Sequence, residues 1–379
     1  MGKASAIWTD PGEYLQSTST QGPVLFIGTA DLATRAELFL TRFPGLTTYA
    51  LKANPDPLVL RTLCASGLRA FDVASPAEII LARTYCPSAV LHYHNPVRSR
   101  DEIRTAVQHD VRSYSVDCHS ELAKLIEIVP PKGVEVAVRF ALPLKGASYD
   151  FGAKFGAQPD AAASLLKAVE AAGFIPTLTF HPGTQLCDIS VWQGYIAKAA
   201  EIANAAGINV QTLNIGGGFP SERDGQKHDL VFIFDAIEAA VQQNFSANLP
   251  RLVCEPGRAM VADAGLLAVP VKSVRETGAI TLVDGIYGAL NEQMQIGVTK
   301  GLDVFATSPR SKDTKGWTVF GPTCDSLDVL PGQIQLPVDI AEGDILLFRA
   351  IGAYSNATTT AFNGYGDVRI VAVHSVQSH

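Results

Sequence analysis

Tyr49-Ala50-Leu51-Lys52-Ala53-Asn54 is the run from which the rest of the chain can be read. Tyr49, Ala50 and Leu51 have the character of a buried strand end, and Asn54-Pro55 opens a turn. Lys52 therefore stands where a strand runs out, close to the core. A lysine so placed is expected to give up water, and desolvation penalises the ammonium form. The neutral amine is then free to form a Schiff base. The competing reading is a lysine that snorkels from a strand end to solvent, and Lys52 alone favours it.

Working outward, strand-like runs alternate with amphipathic helical stretches from Asp31 to about Ala262. The runs are residues 47–51, 70–73, 89–93, 113–116, 135–140, 177–180, 212–215 and 251–254. Eight apolar strands separated by helices is the count for a (β/α)8 barrel, an α/β fold. After Ala262 the chain reads as strands and turns with little helix, a second and mostly antiparallel β domain that residues 24–27 are placed to join. The expected division is a barrel over 30–262 and a β-sandwich-like domain from 1–29 plus 263–379.

Composition narrows the function classes. The chain has 379 residues, 47% hydrophobic and 18% charged, the profile of a well-buried globular enzyme. A formal charge of -7 and no Lys/Arg run give no basis for a nucleic-acid partner. Cys64, Cys86, Cys118, Cys187, Cys254 and Cys324 are scattered with no CxxC pair, which points to a reducing compartment and away from a disulfide framework or zinc site; no metal is expected. The start of the chain lacks a signal-peptide pattern, and no apolar run approaches the roughly 18 residues of a membrane span. A soluble cytoplasmic protein with no membrane partner is the expectation.

The unusual residues follow barrel strands. Lys52, Asp72, Arg139, His181, the glycines of Asn214-Ile215-Gly216-Gly217-Gly218, and Glu255 all fall at strand ends. A barrel gathers such positions at its C-terminal rim, where barrel enzymes keep their sites. The glycine run can bring backbone N–H groups close to a phosphate, though by itself it is equally a tight turn. Glu255-Pro256-Gly257-Arg258 offers a carboxylate for a ring nitrogen and a guanidinium for a phosphate, where a surface salt bridge is the plainer alternative. His181-Pro182-Gly183-Thr184 supplies an imidazole that can stack on a planar ring and a hydroxyl. In Gly321-Pro322-Thr323-Cys324-Asp325 a thiol stands beside a carboxylate in a Gly-Pro loop, and Gly352-Ala353-Tyr354 supplies a phenol.

In order and spacing, seven stretches resemble the fold-type III pyridoxal-phosphate decarboxylases, the ornithine, lysine and diaminopimelate decarboxylase group with an alanine-racemase-like architecture. They are TTYALKANP, FDVASPAEI, FHPGTQ, NIGGGFP, CEPGRAMVA, FGPTCDSLDVL and GAYSNATTTAFNGYG, between about Val24 and Gly366. The resemblance implies pyridoxal 5'-phosphate as cofactor, bound by the barrel domain, with Lys52 as its Schiff-base lysine. It further implies Glu255 at the pyridine nitrogen and His181 stacked on the ring. The phosphate falls to Gly216, Gly217, Gly218, Gly257, Arg258 and Tyr354, with help from Thr184. Asp72 and Arg139 support the lysine and ring, and Cys324 reprotonates Cα. Asp325, Tyr287 and Phe362 line the substrate site. Cys324 and Asp325 are expected to cross from a second subunit, making a head-to-tail homodimer the functional unit.

Cys-Asp resembles the ornithine and lysine branch, because a carboxylate suits a distal ammonium; the longer biosynthetic arginine decarboxylases are set aside on size. One departure stands against a plain diamino acid. Where that branch carries a second acid on a short helix, this chain has Gln295 and Ile296, with Glu292 on a different face. A decarboxylase of another or conjugated amino acid is thus the alternative to ornithine or lysine. A catalytically silent regulatory homologue has no chemical need for Lys52, Glu255 and Cys324 together, and a racemase would set a cation at the ring nitrogen.

Overall fold

The computed structural model describes residues 7–142, 154–245 and 248–377. The chain divides into two compact units, one of Ala36–Pro220 and His228–Ala259, the other of Met1–Arg35, Ser221–Lys227 and Met260–His379.

In the first unit, parallel strands pair in chain order: Tyr49–Ala50, Ala70–Val73, Val90–Tyr93, Ser113–Val116, Glu135–Arg139, Ile175–Thr179, Thr212–Asn214 and Arg251–Cys254. The last pairs with Gly45–Thr47, the earlier half of the first strand. Thr48 divides that strand, and its N–H and Oγ1–H both donate to the Cys254 carbonyl at 2.9 Å. One strand thus contacts both its first and its last neighbour, and the ring closes as the eight-strand count predicts. The strands Ala70–Val73 and Ser113–Val116 are buried at every residue, as a parallel sheet with helices outside and side chains filling the inside requires. Helices start where the sequence signals them. Asp56 and Ser75 cap Pro57–Ala65 and Pro76–Tyr85, each followed by proline, and Ser99 and Glu102 form a capping box for Arg100–Gln108.

In the second unit, Val24–Gly28 lies between Gly265–Arg275, antiparallel, and Arg369–Val373, parallel. Gly265–Arg275 pairs onward with Ile345–Arg349 and with Ala279–Leu282, and Thr314–Phe320 with Ile334–Pro337, all antiparallel. Ala279–Leu282 and Thr314–Phe320 run parallel. The early strand therefore joins this unit, where Phe26, Leu266, Ala268 and Val373 form its core with Tyr14 and Leu15. Among the described residues no helix is long and apolar enough to cross a membrane.

The cysteines depart from expectation. Cys64 and Cys86, at the ends of neighbouring barrel helices, are disulfide-bonded across 22 residues of sequence with Cα atoms 6.6 Å apart. Spacing did not betray the pair because barrel packing, and no local motif, brings the two helix ends together. The argument for a reducing compartment from unpaired cysteines falls with it.

Gly45 sits on the closing contact, where a Cβ would lie 2.3 Å from the Leu252 carbonyl oxygen and 2.8 Å from Leu252 Cβ. Gly45→Ala should destabilise the protein by about 1–3 kcal/mol, seen as a thermal midpoint lower by several degrees. An unchanged midpoint would contradict the closure described.

Candidate active site

The strand Tyr49–Ala50 passes into a single 3-10 turn, Leu51–Ala53, whose Leu51 and Ala53 are buried while Lys52 projects. The Lys52 side chain is 49% exposed, with Nζ 3.9 Å from Asp72 Oδ2. The expectation of a lysine stripped of water is thus corrected: the turn leaves Lys52 half-exposed at the barrel mouth, with the Asp72 carboxylate within ion-pair distance. Asp72 itself is buried. Burial, then the Glu255 charge, pushes its carboxyl up to about 7 against the pull of Lys52 and His94. Its Oδ1 is buried with no hydrogen-bond partner.

Glu255 follows Arg251–Cys254. Burial works to raise its pKa, but it is outweighed by His94, Lys52 and Asn214, which hold the carboxyl well below the usual range. Its Oε1 accepts from His94 Nδ1 at 2.7 Å and Asn214 Nδ2 at 2.6 Å. Of these two close carboxyls, Glu255 is the anion because it has the donors, and Asp72 keeps its proton longer because Oδ1 has none. Burial lowers the Arg139 pKa, opposed by the charges of Glu255 and Asp72, and the guanidinium lies 5.4 Å over the Phe155 ring. Burial, then the Arg139 and Lys52 charges, pushes His181 down to about 3, so its ring is neutral. His181 Nδ1 accepts from the Gly183 N–H at 3.3 Å.

The glycine turn is held from three sides. Asn214 Oδ1 accepts from Gly216 N, Gly216 O from Glu255 N, and Gly218 O from Leu186 N, at 2.8–2.9 Å. Gly216 and Gly218 have φ of 66° and 91°. Added Cβ atoms at Gly216, Gly217 and Gly218 would meet the carbonyl oxygens of Phe180, Glu255 and Gly183 at 2.3, 2.7 and 2.8 Å. Only glycine lets these three loops interlock. Arg258 Nε donates to Thr184 Oγ1 at 3.4 Å, which joins two of the expected phosphate ligands. Gly257 is buried beside Pro256, whose carbonyl accepts from Ala50 N.

Sequence reasoning assigned no role to His94, Asn214, Ser113 or Glu78. His94 Nε2 lies 2.9 Å from Ser113 Oγ, and Glu78 Oε2 accepts from Ala74 N at 2.7 Å. The available signal was the rule that found the others, since His94 directly follows Val90–Tyr93. Ligand atoms of Asp72, His94 and Glu255 lie within 4.8 Å of one another. An ion there would need the lone pair of His94 Nδ1, and that nitrogen carries the hydrogen directed at Glu255.

The remaining expected residues lie in the β unit, which brings Cys324, Asp325, Tyr287 and Phe362 together. Asp328 pins the Cys324 loop: its Oδ1 accepts from Ile286 N at 3.0 Å, and its Oδ2 from Thr323 N and Oγ1 at 3.0 and 2.7 Å. The exposed Cys324 donates from N and Sγ to Asn363 Oδ1 at 3.1 and 3.2 Å. Asp325 accepts from Leu327 N at 3.0 Å and Tyr287 OH at 2.5 Å, and these two bonds lower its pKa. The Tyr287 and Phe362 rings are 4.8 Å apart. Tyr354 adopts φ 59°, an uncommon state for a non-glycine residue. The short helix that carries Gln295 and Ile296 spans only Gln293–Ile296, with Glu292 buried at its N-cap and Gln295 exposed.

Residues 29–262 match the family model described as pyridoxal-dependent decarboxylase, pyridoxal binding domain. The chain belongs to the pyridoxal-dependent decarboxylase family. It is a pyridoxal-phosphate-dependent carboxy-lyase. It is 32% identical to the lysine/ornithine decarboxylase of Selenomonas ruminantium over 84% of this chain and 80% of that protein. It is 33% identical to the chloroplastic ornithine decarboxylase of Nicotiana glauca, over 85% and 77%. The structure of Paramecium bursaria Chlorella virus arginine decarboxylase bound to agmatine superposes with a TM-score of 0.84 at 25% identity, covering 93% of this chain and 96% of that one. Size therefore does not separate this decarboxylase from every arginine decarboxylase.

The residues present fit the cofactor. The mouth offers an amine, an ionised carboxylate, a neutral flat imidazole, an orphaned buried oxygen on Asp72 and a turn that no Cβ could enter. Because the Asp72 pKa rises on folding from 3.8 to about 7, the folded state binds the extra proton. The associated stability is present below about pH 4 and is lost as pH rises through 7. In cofactor-free protein Asp72→Asn should match wild type near pH 4 and exceed it near pH 8 by about 1 kcal/mol or more, roughly 2–4 °C in Tm. A difference that does not vary with pH, measured by thermal melts, would contradict the assigned protonation.

Proposed function

We propose that this decarboxylase acts on L-ornithine or L-lysine, releasing carbon dioxide and the diamine. The observation that carries the choice is the ionised Asp325, fixed by Leu327 N–H and Tyr287 OH beside Cys324 in an exposed loop. An anion so held suits a distal ammonium, and the relatives named for lysine and ornithine agree.

Bound pyridoxal phosphate supplies a carbonyl for an amine and a ring that withdraws electrons from the bond to the carboxylate. Lys52 would hold it through its amine, the position that the substrate amine would take in turn. Glu255 would take the ring nitrogen and hold a proton there, and the uncharged His181 would offer its flat ring to the cofactor. Gly216, Gly217, Gly218, Gly257 and Arg258, with Thr184 and Tyr354, take the phosphate. Asp72 and Arg139 set the charge around Lys52. Cys324 returns a proton to the substrate Cα, and Asp325, Tyr287 and Phe362 receive the side chain. In this reading the domain over 30–262 holds the cofactor, and the Cys324 loop serves a partner subunit's barrel in a head-to-tail homodimer.

A second reading, a different or conjugated amino acid, has one observation in its favour. The Gln293–Ile296 helix carries no acid of its own, and Glu292 at its cap is buried.

Lys52→Ala should remove the visible absorption band of the loaded enzyme and reduce activity to background while the fold is retained; a band and turnover that survive would end the reading. A carbon-dioxide release screen over amino acids, diamino acids first, tests the substrate. Asp325→Ala should lower kcat/KM for ornithine or lysine by roughly ten- to a hundredfold, with little effect on a neutral analogue. Equal losses on both would favour the second reading.

A further inference from the structure

His94 lies in the barrel unit, 7% exposed, and both ring nitrogens are engaged. A carboxylate only accepts hydrogen bonds, so the network assigns the hydrogen at this contact to Nδ1. Nε2 faces the Ser113 hydroxyl at 2.9 Å, and the His92 ring packs 5.1 Å away, so the imidazole has a fixed plane. Asn214 is fixed too, because its Oδ1 accepts from Gly216 N and its Nδ2 points to Glu255 at 2.6 Å; Nδ2 also lies 2.9 Å from His94 Nδ1, which cannot accept from it while its own hydrogen is directed at the carboxylate. Two donors from different strands thus converge on one oxygen, Oε1.

That convergence matters because Glu255 has competing suitors. Lys52 and Arg139 are both close enough for their charges to act on it. A carboxylate free to rotate in such company would turn toward the nearest cation. Anchoring Oε1 from behind leaves Oε2 as the oxygen available to a ligand.

We propose that His94, backed by Ser113, is a positioning residue that holds the Glu255 carboxylate as an anion aimed at the cofactor's ring nitrogen. This rests on the role given to Glu255 above. His94 touches neither substrate nor cofactor in this role, and it acts through Glu255 alone.

The test is a double-mutant cycle on the affinity of the cofactor-free protein for pyridoxal phosphate, followed by visible absorption, with turnover measured alongside. His94→Ala should weaken binding roughly ten- to a hundredfold, the range of one charge-assisted hydrogen bond. His94→Asn, whose amide can place a donor near the Nδ1 position, should recover most of it. In a Glu255→Gln background His94→Ala should add little further loss. A His94→Ala effect within twofold, an equal loss in the Glu255→Gln background, or no recovery with His94→Asn would overturn the proposal. Should His94→Ala fail to fold, the Asn variant in both backgrounds still decides: donor-dependent binding requires Asn to behave like wild type only while Glu255 is present. Unchanged affinity in Glu255→Gln alone would instead remove the reading of Glu255, a result distinct from failure at His94.

Discussion

One carboxylate, Glu255, is kept ionised inside a barrel where burial alone would neutralise it. A buried charge is tolerated only when it is paired and hydrogen-bonded. Here the pairing comes from four strand ends: His94 after Val90–Tyr93, Asn214 at the end of Thr212–Asn214, Lys52 after Tyr49–Ala50, and Arg139 closing Glu135–Arg139. Parallel closure of the ring is what brings these ends to one place. The glycine turn follows from the same constraint, since Glu255 donates its own N–H to Gly216 and its carbonyl bars any side chain at Gly217.

The neighbouring Asp72 shows the other side of that economy of donors. Its Oδ2 lies 3.9 Å from Lys52 Nζ, yet with Oδ1 unpartnered its proton is retained to about pH 7. Two carboxyls with opposite tendencies in one mouth give the site an anion and a proton holder at the same pH. Pulling such groups apart by environment is how one fold runs acid and base steps together.

Much of this was legible before any coordinates. The eight-strand alternation survives in single sequences because apolar strands and capped helices carry strong local signals, as Ser99 and Glu102 illustrate. Residues at strand ends, from Lys52 to Glu255, could be gathered by topology alone. The rest was not local. His94 and Glu255 are 161 positions apart, and nothing near either names the other. Cys64 and Cys86 meet through helix packing. The hydration of Lys52 is not local either, because a strand end in sequence does not say whether the next turn faces core or mouth. Substrate choice is least legible, since it depends on how the Tyr287 hydroxyl, donating to Asp325, orients that carboxylate and on which face Glu292 takes.

An ionised Glu255 at the cofactor's ring nitrogen requires that nitrogen to hold a proton. The most direct measurement is the 15N chemical shift of the ring nitrogen in holoenzyme loaded with pyridoxal phosphate labelled at that atom. A pyridinium shift at neutral pH, lost in Glu255→Gln, is the predicted result. A neutral pyridine shift in the wild-type enzyme would contradict it.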